Sequence, residues 1–358
     1  MSNEAAGQRG EPLFFEWRGT PFEIGVQQGR ALGDAIRHEY QPALASGAQS
    51  LGVSQDELLQ RFAKRYLSSF QQYAPTAVEE IRGMAHGAGL DFEHAFFAAT
   101  RDGAKWPSPG SPQDCTTFFC AAATTANNTH LLGQTKDTAS LLTRYRIMRS
   151  EYSDGRRVVL LNYPGWIANI GLNSYGVACS ANSLYAASSP KQTVPFSLLR
   201  RVINEAESVA KVMAVAQEIT LENGCMIVAD RSGAAISIEY VGGERCIEDV
   251  SGRAYAHANS ILCADLKVLE AERLGSPSSP MRQRNADRLL EENQGHLSVE
   301  TLQKIMADHS DYPYSLCRHA TEDDPIYTTA AFVADLTNLQ MHIAIGHACV
   351  SQWHTYQV

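Results

Sequence analysis

Nine residues, Lys105-Trp-Pro-Ser-Pro-Gly-Ser-Pro-Gln113, divide this chain into two parts that cannot fold alike. Their three prolines and one glycine exclude a helix and a central strand, because proline fixes φ and lacks the backbone donor. The segment reads as an exposed loop, the kind that is readily cut. Before it the pattern is helical: Ile24, Gln28, Leu32 and Ile36 recur about one turn apart between Phe22 and Tyr40. Ser54 and Glu57 open a second helix to Phe70 with capping-box spacing. A third runs from Thr76 to Ala88, ended by Gly89, and a fourth from Asp91 to Thr100. Directly after the loop, Asp114-Cys-Thr-Thr-Phe-Phe-Cys120 is rich in strand formers. Strands are expected at Arg157–Leu161, Ile167–Leu172, Val177–Ala181, Cys225–Ala229 and Ala235–Tyr240, the last two joined by a turn at Asp230-Arg-Ser-Gly233. One helix, Phe196–Ala216, interrupts them. Two more, Met281–Asn293 and Ser298–Asp308, precede closing strands at Thr328–Asp335 and Met341–Ile345. Blocks of helix and strand in this order predict an α+β layered architecture.

Composition narrows the function. A formal net charge of -9 lacks the basic face that nucleic acid requires. No run of about 18 apolar residues is present, so no membrane span is expected. The polar start, Met1-Ser-Asn-Glu-Ala-Ala, carries no apolar core of a secretory signal, and a cytoplasmic location is expected. The eight cysteines contain no C-x-x-C pair and are expected to stay reduced, most of them as small buried residues.

Cys115 stands apart because a cut after the loop would make it an N-terminus. An N-terminal cysteine carries its own base, an α-amine with a pKa of about 7.7–8.0 beside a thiol of about 8.5, so proton transfer near neutral pH is easy. Four further stretches hold polar residues suited to acyl chemistry: Gly133-Gln134-Thr135-Lys136-Asp137, His257-Ala258-Asn259-Ser260, Asp308–His319 and Gly346-His347-Ala348-Cys349. Taken singly, Asp137 and Asn259 also read as turn or cap residues, Asn173 and Asn182 as turn residues, and Arg318 as half of an ion pair. The spacings of His257, His309 and His319 match no zinc pattern, and no metal or cofactor is expected.

Together these motifs resemble the acyl-coenzyme A:6-aminopenicillanic acid (isopenicillin N) acyltransferases, the C45 autoproteolytic N-terminal-nucleophile family. The resemblance begins at Gly25-Val-Gln-Gln-Gly29 and takes in Glu80-Ile-Arg-Gly-Met-Ala-His-Gly-Ala-Gly89, Cys115-Thr116-Thr117, Gly133-Gln134 with Asp137, Gly171–Val177 with Asn182-Ser183-Leu184, and the 257–260 and 308–319 stretches. It implies a four-layer αββα sandwich and a precursor cut between Asp114 and Cys115. The products would be an α chain, residues 1–114, and a β chain of 244 residues (358 minus 114), which stay associated as one structural domain. It further implies that Cys115 is the nucleophile, that Asp137 positions the nucleophilic end, that Asn259 helps hold the oxyanion, and that Ser315 assists processing. Arg318 suits a substrate carboxylate or phosphate in bidentate fashion, and Lys136 borders the substrate pocket. Two positions depart from the fungal enzymes: Asp114 stands where they have glycine, and Lys136 where they have an aromatic residue.

The expected activity is that of a self-cleaving amidohydrolase or acyltransferase acting on a small N-acyl amide through a Cys115 thioester. Acyl-coenzyme A-dependent transfer, and an uncut non-catalytic relative that binds small molecules, are the alternatives. A papain-like protease fits less well, because Cys115 lacks that family's Cys-Gly-Ser-Cys-Trp surroundings. The expected partners are the small N-acyl amide or acyl thioester and the two fragments of the precursor, with homo-oligomerisation left open.

Overall fold

The computed structural model describes residues 13–103, 113–139, 145–186, 193–270 and 276–358; the proline-rich loop read from the sequence lies outside them except for Gln113, which begins the next strand. In chain order the elements are β1 (Phe14–Gly19), α1 (Pro21–Leu51), α2 (Gln55–Tyr73), α3 (Pro75–Ala88) and α4 (Phe92–Thr100), then β2 (Gln113–Cys120), β3 (Leu131–Thr138), β4 (Arg146–Tyr152), β5 (Arg157–Asn162), β6 (Ile170–Asn173) and β7 (Ala178–Ser183). Next come α5 (Phe196–Glu205), α6 (Val209–Ala216), β8 (Gly224–Ala229), β9 (Ala235–Val241), β10 (Glu244–Asp249), β11 (Ala254–His257), α7 (Ser279–Glu292) and α8 (Val299–Met306). The last strands are β12 (Tyr327–Asp335), β13 (Gln340–Ile345) and β14 (Trp353–Gln357).

The strands form two sheets, ordered β1-β4-β5-β6-β7-β8-β9-β10 and β11-β2-β3-β12-β13-β14. Alternation along each strand assigns the layers, since successive side chains face opposite sides. Ile147, Val159, Leu161 and Ile227 of the larger sheet meet Phe119, Leu132, Phe332 and Ile343 of the smaller in a central core. The opposite faces of β4 and β5 pack on α1–α4, and those of β8 and β9 on α5 and α6. Phe118, Leu131 and Val333 turn outward to α7 and α8. The order is therefore helices, sheet, sheet, helices: the four-layer αββα sandwich that the resemblance implies.

Four glycines of the motifs sit where α1 crosses α3. An added Cβ would lie 1.9 Å from the Glu80 carbonyl oxygen at Gly25, 2.4 Å from that of Met84 at Gly29, 2.0 Å from that of Phe22 at Gly83 and 2.2 Å from that of Val26 at Gly87. The two backbones touch, so only hydrogen fits. Beside this seam, buried Glu80 accepts hydrogen bonds from Gln28 Nε2 (2.9 Å), Tyr152 Oη (2.9 Å) and Arg201 Nη1 (2.6 Å), tying the helical layer to the sheet and to α5.

Several local expectations change. The first helix continues past Pro42 to Leu51, because Leu44 and Ala48 extend its buried face and Gly52 ends it in the left-handed conformation. Residues 14–19, which no helix claimed, form β1, a parallel partner of β4 over 100 positions away. The helix expected over 196–216 is two helices. Asn173 Nδ2 donates to the carbonyls of Ile203 (3.1 Å) and Ala206 (2.8 Å), and Val209 N–H donates to Asp230 Oδ2 (2.9 Å), so side chains near the sheet replace intrahelical partners at the break. The expectation of eight reduced cysteines fails at one pair. Cys246 on β10 and Cys263 after β11, brought to a Cα separation of 6.5 Å, form a disulfide. Among the described residues no helix is long and apolar enough to cross a membrane.

Candidate active site

Strand β2 carries Cys115 to one end of the space between the sheets. Its neighbour in register is Lys136 on β3, while Asp114 pairs with Asp137. Directly opposed residues of an antiparallel pair share a face. Cys115 and Lys136, in step with Phe119 and Leu132, therefore point between the sheets, and Asp114 and Asp137 point outward toward α7. Cys115 and Lys136 border a cavity of about 380 Å³ with Tyr145, Tyr163, Trp166, Asn182, Phe196 and Arg200. Burial raises the Cys115 thiol above its ordinary pKa, with Lys136 pulling it back and Asp137 pushing the same way as burial. Burial lowers the Lys136 ammonium. Among the described residues Lys136 has no ion pair, whereas Arg200 is paired with Asp102 at 3.4 Å.

The backbone of Cys115 is held by side chains. Its N–H donates to Asn259 Oδ1 at 2.9 Å, and its carbonyl accepts from Arg282 Nη1 at 2.7 Å. Arg282 also donates to Thr116 Oγ1 and to Asn259 Oδ1, both at 2.8 Å, and Asn259 Nδ2 donates to the Ser183 carbonyl at 2.8 Å. Asn259 thus presents its oxygen to Cys115 and its amide nitrogen to Ser183. The oxyanion role given to that amide by the resemblance is not the contact present here. Asn182 braces this end of the site, donating through Nδ2 to the carbonyls of His257 (2.6 Å) and Ala258 (2.7 Å).

On the outward face lies a buried polar cluster. Asp114, fully buried, accepts from Ser276 Oγ (2.7 Å) and Ser278 Oγ (2.9 Å) and pairs with Arg318 and, at 3.4 Å, with Arg282. Arg318 also pairs with Asp324 and is not among the residues bordering the cavity. The ion-pair reading of this arginine matches its contacts; the substrate-carboxylate reading finds no opening toward it. The charge that Asp114 adds where the fungal enzymes have glycine is met by two guanidiniums and two hydroxyls. Asp137 Oδ1 accepts from Thr328 Oγ1 at 2.7 Å, while its Oδ2 is buried with no hydrogen-bond partner among the described residues. Burial pushes the Asp137 carboxyl up to about 6, against the pull of Arg282 and Thr328. Ser315 donates to the Cys317 carbonyl at 2.6 Å and does not border the cavity. His257 is fully buried between Glu239 Oε1 (2.7 Å) and the Ala258 carbonyl (2.7 Å), a structural setting.

Tertiary structure therefore gathers Cys115, Lys136, Asp137 and Asn259 and leaves Arg318 and Ser315 outside the cavity. Arg282 went unnoticed in the sequence, because a lone arginine in a polar helical stretch carries no local signal of burial. Ser276 and Ser278, in a serine-rich segment before α7, drew no reading from the sequence.

A profile of the acyl-coenzyme A:6-aminopenicillanic acid acyl-transferase family matches residues 124–348, well over half of the 358. The 40 kDa form of acyl-coenzyme A:6-aminopenicillanic-acid-acyltransferase from Emericella nidulans is 25% identical over 310 residues, which cover 84% of this chain and 83% of that protein. Among solved structures, a mutant of the conjugated bile acid hydrolase from Clostridium perfringens aligns at a TM-score of 0.44 and 12% identity, covering 68% of this chain and 97% of its own. Penicillin V acylase from Agrobacterium tumefaciens aligns at 0.40 and 12%, covering 70% and 79%.

Proposed function

The chain belongs to the acyl-coenzyme A:6-aminopenicillanic acid acyl-transferase family, and is thus an enzyme of amide cleavage or acyl transfer; from that premise we propose that it cuts itself before Cys115 and then uses the freed residue as its nucleophile. One contact carries this reading: the Cys115 N–H, the group that would become the α-amine, is held by Asn259 Oδ1 at 2.9 Å. The acceptor for the future amine is in place before the cut.

In self-cleavage the Cys115 sulfur attacks the Asp114 carbonyl carbon. The C–N bond breaks, the nitrogen gains a proton, and a thioester links Asp114 to the sulfur. Water then hydrolyses the thioester, leaving a carboxylate on residue 114 and a free thiol beneath a free amine. Lys136, opposite Cys115 and lowered by burial, is the candidate proton acceptor for the thiol while the amine is still part of the peptide. In turnover the amine takes the thiol proton, the sulfur forms a thioester with the substrate's acyl group, and the proton passes to the leaving amine. The guanidinium of Arg282 beside the Cys115 carbonyl favours the neutral, proton-accepting form of that amine. Asp137, one register position away and with one carboxylate oxygen unpartnered among the described residues, orients it.

A small N-acyl amide is the substrate class that suits the cavity. Its aromatic wall of Tyr145, Tyr163, Trp166 and Phe196 suits an apolar acyl or aryl group, and Lys136 suits an anionic one. Acyl transfer to an amine, the reaction in the relative's name, differs from hydrolysis only in what attacks the thioester.

Denaturing intact-mass measurement of wild type beside Cys115→Ala tests the proposal. Expected are wild-type fragments of 114 and 244 residues (358 minus 114), the second beginning at Cys115, and an uncut variant. A single uncut wild-type species overturns it. Turnover of N-acyl amides with and without an added amine then assigns hydrolysis or transfer.

A further inference from the structure

Four donors that this chemistry does not use converge where the segment after α8 meets the turn after β13. His309, Cys317, His319 and Cys349 place their ligand atoms all within 4.8 Å of one another. His319 Nε2 lies 3.1 Å from His309 Nε2, 3.4 Å from Cys349 Sγ and 3.9 Å from Cys317 Sγ. One imidazole nitrogen offers a single N–H or a single lone pair, so hydrogen bonding cannot satisfy three such neighbours at once. One cation at the centre can. With Zn–N near 2.05 Å and Zn–S near 2.3 Å, a tetrahedron has edges of about 3.3 Å between nitrogens and about 3.6 Å between nitrogen and sulfur. The two nitrogen–sulfur separations, 3.4 and 3.9 Å, bracket the second length, and the nitrogen–nitrogen separation of 3.1 Å falls just short of the first.

We propose that His309, Cys317, His319 and Cys349 form a four-coordinate Cys₂His₂ site for a zinc-class divalent ion. Two thiolates and two imidazoles select such a metal over magnesium or calcium, and four protein donors leave no open position, which makes the site structural. Binding would displace the two thiol protons to solvent. None of the four residues borders the cavity. The ring of His347 stacks on His319 with centroids 4.1 Å apart and fixes its plane, and the Ser315 hydroxyl holds the Cys317 carbonyl at 2.6 Å. Arg318 lies between two of the ligands, and its guanidinium grips Asp114, the residue before Cys115. The ion would therefore set the arm that buries the acyl side of the proposed cut. The pattern escapes sequence reading because the donors are spaced 309, 317 and 319, and the fourth comes 30 positions later.

The test is metal analysis of the full-length, tag-free protein purified without chelator from zinc-supplemented medium. About one zinc per chain is expected, falling at least about fivefold in both Cys349→Ala and His309→Ala. His309 is exposed, so its variant keeps the fold and its metal loss reads the site alone. Cobalt(II) added to chelator-treated wild type should give tetrahedral visible bands with thiolate charge transfer, absent from Cys349→Ala. Metal-free wild type without a cobalt spectrum overturns the proposal, as does metal content in both variants equal to that of wild type. So does titration under denaturing conditions that finds Cys317 and Cys349 oxidised to each other. These readouts are the same in Cys115→Ala, so the metal site and the self-cleavage proposal stand or fall separately.

Discussion

Replacing Asp137 with asparagine separates its electrostatic burden from its chemical role. Its carboxyl is pushed from an ordinary 3.8 to about 6 by burial. A group whose folded pKa is raised holds its proton more tightly when folded, so its contribution favours the fold fully below the unfolded pKa. That contribution is lost as pH rises through the folded value. The difference of 6 minus 3.8, at 1.36 kcal/mol per unit, means that charging Asp137 costs the folded state about 3 kcal/mol by pH 7.5. Asparagine removes this cost and keeps the Thr328 hydrogen bond at Oδ1. It also puts an amide nitrogen where Oδ2 has no partner, at about 1–3 kcal/mol. At pH 7.5 Asp137→Asn should therefore be between equal in stability and about 2 kcal/mol more stable. Near pH 4 it should be the less stable protein by roughly 1–2 kcal/mol. Urea midpoints, measured at pH steps from 4 to 7.5 with Cys115→Ala in both proteins to keep them uncut, report the difference and cancel other titrations. A difference that stays flat across this range would refute the reasoning. In the cleavable background, Asp137→Asn should lose turnover despite its stability.

The helix seam makes a sharp contrast within one element pair. Gly83→Ala forces a Cβ to 2.0 Å from the Phe22 carbonyl and should cost about 3 kcal/mol or more, whereas Gly33→Ala, with neighbours at 3.5 Å, should lie within about 1 kcal/mol of wild type, both read by urea midpoint. Asn259→Ala removes the acceptor of the Cys115 N–H and should slow self-cleavage about 10–100-fold, measured by the intact-precursor fraction over time. Lys136→Met should slow alkylation of the precursor thiol and self-cleavage by about tenfold or more, because the amine that takes the thiol proton, and the cation it then becomes beside the thiolate, are both gone; unchanged rates in both assays would remove Lys136 from the proton path.

The features legible in the chain are those that rest on near neighbours. Helical periodicity placed α2, α3 and α4 within a few residues. The cap at Ser54 is present, its hydroxyl accepting from Glu57 N–H at 3.1 Å, and Gly89 ends α3 in the left-handed conformation as expected. The strands on either side of the Asp230–Gly233 turn fell where that turn and the apolar runs flanking it put them, and Cys115 stood out through the proline-rich loop before it. Tertiary structure decided everything that depends on distant groups meeting. The parallel pairing of β1 with β4, the Cys246–Cys263 disulfide and the broken α5–α6 pair all depend on partners brought close by the fold. So do the direction of each polar residue and its company. Strand parity sends the Lys136 and Asp137 side chains to opposite faces of β3, although both border the cavity and are adjacent in the chain. Arg282 reaches Cys115 across 167 positions and Arg318 reaches Asp114 across 204, separations at which the chain alone records no trace of contact.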